Sequence, residues 1–137
     1  MSKRRSISAA DIPSHKNPIP AAAHVGNLVF SSAIIGKDPQ THELPESRES
    51  QVANVFAIMR AILRESGARP EDVGRVSVYL RDKADRDLVN PYWCEMFPDA
   101  ASRPARHTTT SELPLAQHIQ LEFIAVLPGD PTSQRNS

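Results

Sequence analysis

From Gln117 to Leu127 the chain alternates in steps of two, with Ile119, Leu121, Phe123, Ala125 and Leu127 on one side and His118, Gln120, Glu122, Ile124 and Val126 on the other. A period of two belongs to a β-strand, whose successive side chains point to opposite faces. One face is wholly apolar, and Ile124 and Val126 leave the other half apolar, so both faces of the sheet need cover. Only two segments elsewhere have helical periodicity, and two short helices cannot wrap a sheet on both sides. They take the apolar face, and self-association is the natural cover for the other. Glu122 lies on that second face, where a subunit contact would partly desolvate it and raise its proton affinity.

The first helical segment opens at Pro45-Glu46-Ser47, places Val52, Val55, Phe56, Met59, Ile62 and Leu63 at three- and four-residue steps, and closes at Gly67. The second carries Leu88, Val89, Tyr92, Trp93, Met96 and Phe97. Pro91 interrupts it, and Asn90 as N-cap with Pro91 at the first helical position resolves the conflict. Val25-Gly26-Asn27-Leu28 predicts a turn, and Leu28–Ile35 a strand completing a hairpin. Val73–Leu80 alternates, with Val76, Val78 and Leu80 on one face and Arg75, Ser77 and Tyr79 on the other. Strands follow over Ala105–Ser111 and Gln117–Leu127. The order strands, helix, strand, helix, strands predicts an α+β sheet with both helices on one face.

With 137 residues the chain has room for one domain, expected over residues 1–129, and residues 130–137, which lack an apolar side chain, are expected as a solvated tail. Sixteen Lys plus Arg balance 16 Asp plus Glu, which disfavours nucleic acid as a partner. No segment reaches transmembrane length and no signal peptide is evident, so no membrane is expected. A single cysteine, Cys94, excludes disulfides within the chain and multi-thiolate metal sites, which suits the cytoplasm.

Taken singly, few residues announce chemistry. Arg106, opening a strand after Arg103-Pro104-Ala105, has the fork geometry for bidentate grip of a carboxylate. The histidines at 15, 24, 42, 107 and 118 lack the spacing of a metal site, and none is expected. Cys94 reads as a small core side chain beside Trp93 rather than a nucleophile. Ser31-Ser32 lacks the hydrolase elbow, and there is no glycine-rich phosphate loop.

As a set, Gly26-Asn27-Leu-Val-Phe-Ser-Ser-Ala, Asp38-Pro39-Gln-Thr, Gln51-Val-Ala-Asn54, Gly67-Ala, Val73-Gly-Arg-Val-Ser-Val-Tyr-Leu80, Val89-Asn90, Arg103-Pro-Ala-Arg106 and Leu121-Glu122-Phe-Ile-Ala-Val126 resembles the RidA (YjgF) family over roughly residues 17–127. The resemblance implies a chorismate-mutase-like α+β sheet backed by two helices, assembled as a homotrimer with a pocket at each subunit junction. It also implies hydrolysis of enamine and imine acids to 2-keto acids and ammonia with no cofactor. By position, Arg106 would clamp the substrate carboxylate and Glu122 would hold or deprotonate the attacking water. The backbone beside His107 would face the imine nitrogen, and Ser32 and Asn90 would line or support the pocket. The walls depart from the family at Ile19, where a tyrosine is usual, and at Ala33, Ile34, His107 and Thr109. Those changes leave room for a larger unsaturated substrate, of the 2-aminomuconate type found within the family. Two other readings are a non-catalytic trimer that binds small carboxylates and the RNA-cleaving role attached to parts of the family, which the charge balance disfavours.

Overall fold

Ser47 starts the longest helix: its hydroxyl accepts from the Ser50 N–H at the N-terminus of α1 (Arg48–Ser66). Gly67, at φ 77°, ends it by donating back to the carbonyls of Leu63 and Arg64, as the left-handed C-cap requires. These capping contacts belong to a computed structural model of the chain that describes residues 3–114 and 116–129. The anticipated tail at 130–137 lies outside the described residues, as does Leu115 between the last two strands.

Around α1 stand β1 (Arg5–Ile7), β2 (Ala22–Val25), β3 (Leu28–Ser31), β4 (Ile34–Ile35), β5 (Val73–Leu80), α2 (Arg86–Met96), β6 (Ala105–Thr110) and β7 (Ile119–Val126). The strands form one sheet in the order β1-β2-β3-β7-β5-β6, with β4 also paired to β7. Every pairing is antiparallel except β5 with β6, which α2 joins as a crossover. Val76, Val78 and Leu80 of β5 and Ile119, Leu121, Phe123 and Ala125 of β7 are buried together with the apolar stripe of α1. Val89, Trp93 and Met96 bring α2 onto the same core, and Phe56 of α1 stacks on Tyr92 at 5.8 Å between ring centres. The expected α+β layering, with both helices on one face, is therefore the observed one.

Three local expectations need correction. Asn90 does not cap α2, and Pro91 lies inside the helix. The Asp82 carboxylate accepts from the Ala84 N–H and opens a 3-10 turn that runs straight into Arg86, a turn earlier than Asn90. Pro91 removes one hydrogen bond to the Asp87 carbonyl. Both residues are exposed, so water reaches that oxygen and limits the loss. Cys94 is exposed rather than a core side chain. The strand expected over Leu28–Ile35 breaks at Ser32-Ala33. There the Ser32 N–H donates to the Ala21 carbonyl, its hydroxyl donates to the Pro20 carbonyl, and Ser31 Oγ accepts from the Phe123 N–H. Side-chain bonds thus replace part of the ladder and turn the chain outward. The turn before this strand is the expected one, with Gly26 at φ 60° leading a two-residue loop.

The loop between β6 and β7 is held from two sides. Gln51, fully buried on α1, donates to the carbonyls of Pro45 and Ala116 and accepts from the His118 N–H, each bond at 2.8 Å. Arg81 donates to the carbonyls of Gln117, Leu113 and Pro114. Gly36 passes so close to Gln51 that a Cβ there would lie 2.6 Å from Gln51 Cβ, so this position takes no larger residue without displacing backbone.

Candidate active site

Of the residues singled out from the sequence, Arg106 and Glu122 leave the sheet by opposite faces. Arg106 pairs in register with Val76, one of the buried positions of β5, and so projects to the helix face. Its guanidinium carbon lies 5.1 Å from the centre of the Trp93 ring, and its Nε donates to Thr108 Oγ1 at 2.8 Å. Its two terminal nitrogens make no hydrogen bond to protein among the described residues, and no carboxylate lies within ion-pair distance. Partial burial first, then the neighbouring Arg86, lower its proton affinity, while Cys94 acts the other way. A guanidinium stays charged regardless. Arg86, Asn90 and Cys94 follow one another at four-residue steps on α2, so Asn90 lies on the exposed line of the helix that runs past Arg106.

Glu122 pairs with Ser77 and projects to the open face, away from both helices. The Tyr79 hydroxyl donates to its Oε1 at 2.9 Å. On the β3 side of β7, Phe30 is paired with Ile124 and Ile34 with Leu121, so the Ser32-Ala33 break runs alongside Glu122. Ser32, Ala33 and Ile34 line a cleft of about 270 Å³ with Ile19, Lys16 and Lys37, and Ile58 and Ile62 of α1 close its helix side. That volume is just under the usual range for drug-sized ligands and suits a small metabolite. His107 is in register with Ser77, and its exposed side chain leaves by the open face. Whatever residue 107 offers to a ligand of Arg106 must therefore come from its backbone.

One chain thus brings Ile19, Ser32, Ala33 and Ile34 into one cleft, which Glu122 does not line, and Arg106 and Asn90 together at the β6 edge of the sheet. The open face of β2, β3 and β7 carries Val25, Leu28, Phe30, Ile124 and Val126 as an apolar patch, with Phe30 39% and Val126 44% exposed.

The family model described as Endoribonuclease L-PSP matches residues 11–127. A RutC family protein of Aquifex aeolicus is 32% identical over 123 residues, covering 89% of this chain and 98% of its own length. The chain belongs to the RidA (YjgF) family. A relative in Dermatophagoides farinae, named 2-iminobutanoate/2-iminopropanoate deaminase, is 34% identical over 131 residues, covering 93% of this chain and 99% of its own. The RidA structure from Psychrobacter sp. PAMC 21119 superimposes with a TM-score of 0.82 at 28% identity, covering 90% of this chain and 99% of that one.

Within this RidA-family frame, sequence reasoning missed three neighbours of the site. Trp93 reads as a core aromatic, yet it is also the platform under Arg106. Thr108 stands two residues after Arg106 on the same face of β6, and that spacing was the available signal. Tyr79 was placed on the polar face of β5, but its partner depends on the register with β7.

Proposed function

We propose that this chain is a hydrolytic deaminase of imine and enamine acids, forming 2-keto acids and ammonia without a cofactor in a homotrimer. The observation that carries the reading is Arg106. A half-buried guanidinium, supported on Trp93 and Thr108, keeps both terminal nitrogens free of any protein carboxylate among the described residues. Such a group is stabilised by an anion that fits its fork, and a substrate carboxylate is the simplest one.

The imine carbon next to that carboxylate is already electrophilic. Positioning and one weak base therefore suffice. Glu122 accepts a proton from water as the water oxygen bonds to this carbon. Glu122 passes that proton to the nitrogen of the tetrahedral adduct, the C–N bond breaks to release ammonia, and the remaining hydroxyl gives up its proton as the carbonyl forms. An enamine joins the same route after protonation at its β-carbon. Because Arg106 and Glu122 face opposite ways, each site takes Arg106 from one subunit and Glu122 from its neighbour. The apolar patch around Phe30 and Val126 supplies the contact.

Lys16 and Lys37 line the cleft beside Ile19 and Ile34, a mixture that suits an extended unsaturated substrate with a second carboxylate, of the 2-aminomuconate type. Equal numbers of acidic and basic residues favour a small carboxylate over RNA as the partner. With one thiol, Cys94, and no disulfide to maintain, we place the reaction in the cytoplasm.

The test generates imines in situ from a series of amino acids with an oxidase and follows their loss with and without the protein. Accelerated loss with stoichiometric keto acid is the expected result. Unchanged loss across the series, with 2-keto acids still binding at Arg106, would instead favour a non-catalytic carboxylate-binding trimer.

A further inference from the structure

Tyr79 and Glu122 are not directly opposite each other. Tyr79 is in register with Gln120, and Glu122 with Ser77, so the two are diagonal neighbours on the open face of the β5–β7 pair. A long aromatic side chain spans that diagonal. Its hydroxyl reaches Glu122 Oε1 at 2.9 Å. An ionised carboxylate can only accept, so the phenol is the donor. The bond occupies one oxygen and restrains the side-chain torsions of Glu122. Oε2 has no protein donor among the described residues.

We propose that Tyr79 is a positioning residue that aims Glu122, fixing one carboxylate oxygen so that the other is presented to the attacking water. This rests on the assignment of Glu122 as the base given above. The phenol does not relay protons. Its own ionisation is pushed upward by the bond to Glu122 first, then by burial and by the Glu122 charge, with Ser77 opposing. At neutral pH it therefore remains a donor. What it contributes is order, since a carboxylate on a flexible stem must otherwise surrender rotamer freedom whenever it meets the water.

The other groups near Glu122 on the open face are Arg75 on β5, His107 on β6 one strand beyond Ser77 and uncharged Gln120 along β7, with the Ser32-Ala33 break on the β3 side. None of these makes a hydrogen bond to Glu122. The Tyr79 hydroxyl is thus its one fixed protein donor among the described residues.

Tyr79→Phe keeps the ring and removes only that donor. The experiment measures kcat and KM against pH for an imine generated in situ, as the ratio of variant to parent at each pH so that protonation of the imine cancels. The plateau kcat should fall about 3- to 30-fold with KM within about twofold, the pattern of an interaction used mainly in the transition state. In a Glu122→Gln background the same substitution should change turnover less than about twofold, because the group it aims is gone. An equal fold loss in both backgrounds, or a loss confined to KM, overturns the proposal, even where the melting temperature drops. Glu122→Gln alone separates the two ideas. Normal turnover in that variant removes Glu122 as the base, whereas an inactive Glu122→Gln beside an unaffected Tyr79→Phe removes only the role of Tyr79.

Discussion

Arg106 and Glu122 leave the same sheet in opposite directions, Arg106 toward Trp93 on the helix side and Glu122 toward Tyr79 on the open side. The parity follows from the register: Val76, which is buried, pairs with Arg106, and the next residue, Ser77, pairs with Glu122. No rotamer change brings the two groups together through a packed sheet. In the proposed reaction the two groups meet across a junction with a second copy of the chain.

Arg106→Lys should lose nearly as much as Arg106→Ala. An ammonium offers neither the two parallel donors for a carboxylate nor the flat face that lies on Trp93. Removing a charge-assisted pair from a partly dry site should cost about 2–4 kcal/mol of transition-state stabilisation. Steady-state kcat/KM for the two variants checks this. A lysine variant within a few fold of the parent would contradict the clamp.

Phe30→Glu should disperse the assembly while leaving the chain folded. Phe30 is 39% exposed on the open face and pairs with Ile124, so a charge there meets water in a single chain but is trapped unpaired in a subunit contact. Light scattering should report a monomer with the far-UV spectrum of the parent and no deaminase activity. An unchanged trimer mass would place the subunit contact on another surface.

Gly36→Ala and Gln51→Leu should both destabilise the chain, for different reasons. The added methyl at 36 meets Gln51 at 2.6 Å, an overpacking expected to cost about 1–3 kcal/mol. Gln51→Leu leaves the Pro45 and Ala116 carbonyls and the His118 N–H without their partner, for a loss of about 2–5 kcal/mol. Denaturant melts measure both. Wild-type stability in Gln51→Leu would mean that the loop before β7 finds other partners.

Tyr79 should ionise above the ordinary tyrosine range, because its bond to Glu122 holds the proton on the phenol. A group whose pKa is raised on folding contributes stability that is fully present below its unfolded value and is lost as pH rises through its folded one. Any stabilisation from this pair is therefore intact at neutral pH and disappears only on the alkaline side. Since the chain has two tyrosines, ultraviolet titration of Tyr92→Phe isolates Tyr79. Adding Glu122→Gln should bring the midpoint back down, and an unmoved midpoint would contradict the pairing.

How much of this was legible in the sequence follows from how local each signal is. Ser47 and Gly67 bound α1 through contacts within a few residues, and both could be read directly. The start of α2 could not, since the signal is Asp82 capping a 3-10 turn ahead of the helix, and Asn90-Pro91 offered a locally better motif. The faces of β5 and β7 follow from alternation within each strand. Which face of β6 carries Arg106 depends on its parallel pairing with β5, and that register is set by the crossover through α2, far from Arg106 in the chain. The Tyr79–Glu122 bond is of the same kind, created by register rather than by spacing. The strands that carry Arg106 and Glu122 were therefore legible, whereas the opposite faces those two residues take were not.

The most direct test mixes two inactive proteins. Arg106→Ala and Glu122→Gln are purified separately, each shown to be inactive, then unfolded together, refolded as a mixture and assayed for imine hydrolysis. If each site draws Arg106 from one subunit and Glu122 from its neighbour, random assortment in a closed trimer leaves some junctions with both groups intact, and activity should return to roughly a quarter of the parent level. If the mixture stays as inactive as its components while the co-refolded parent regains full activity, the two residues do not meet across a subunit junction, and the shared site is wrong.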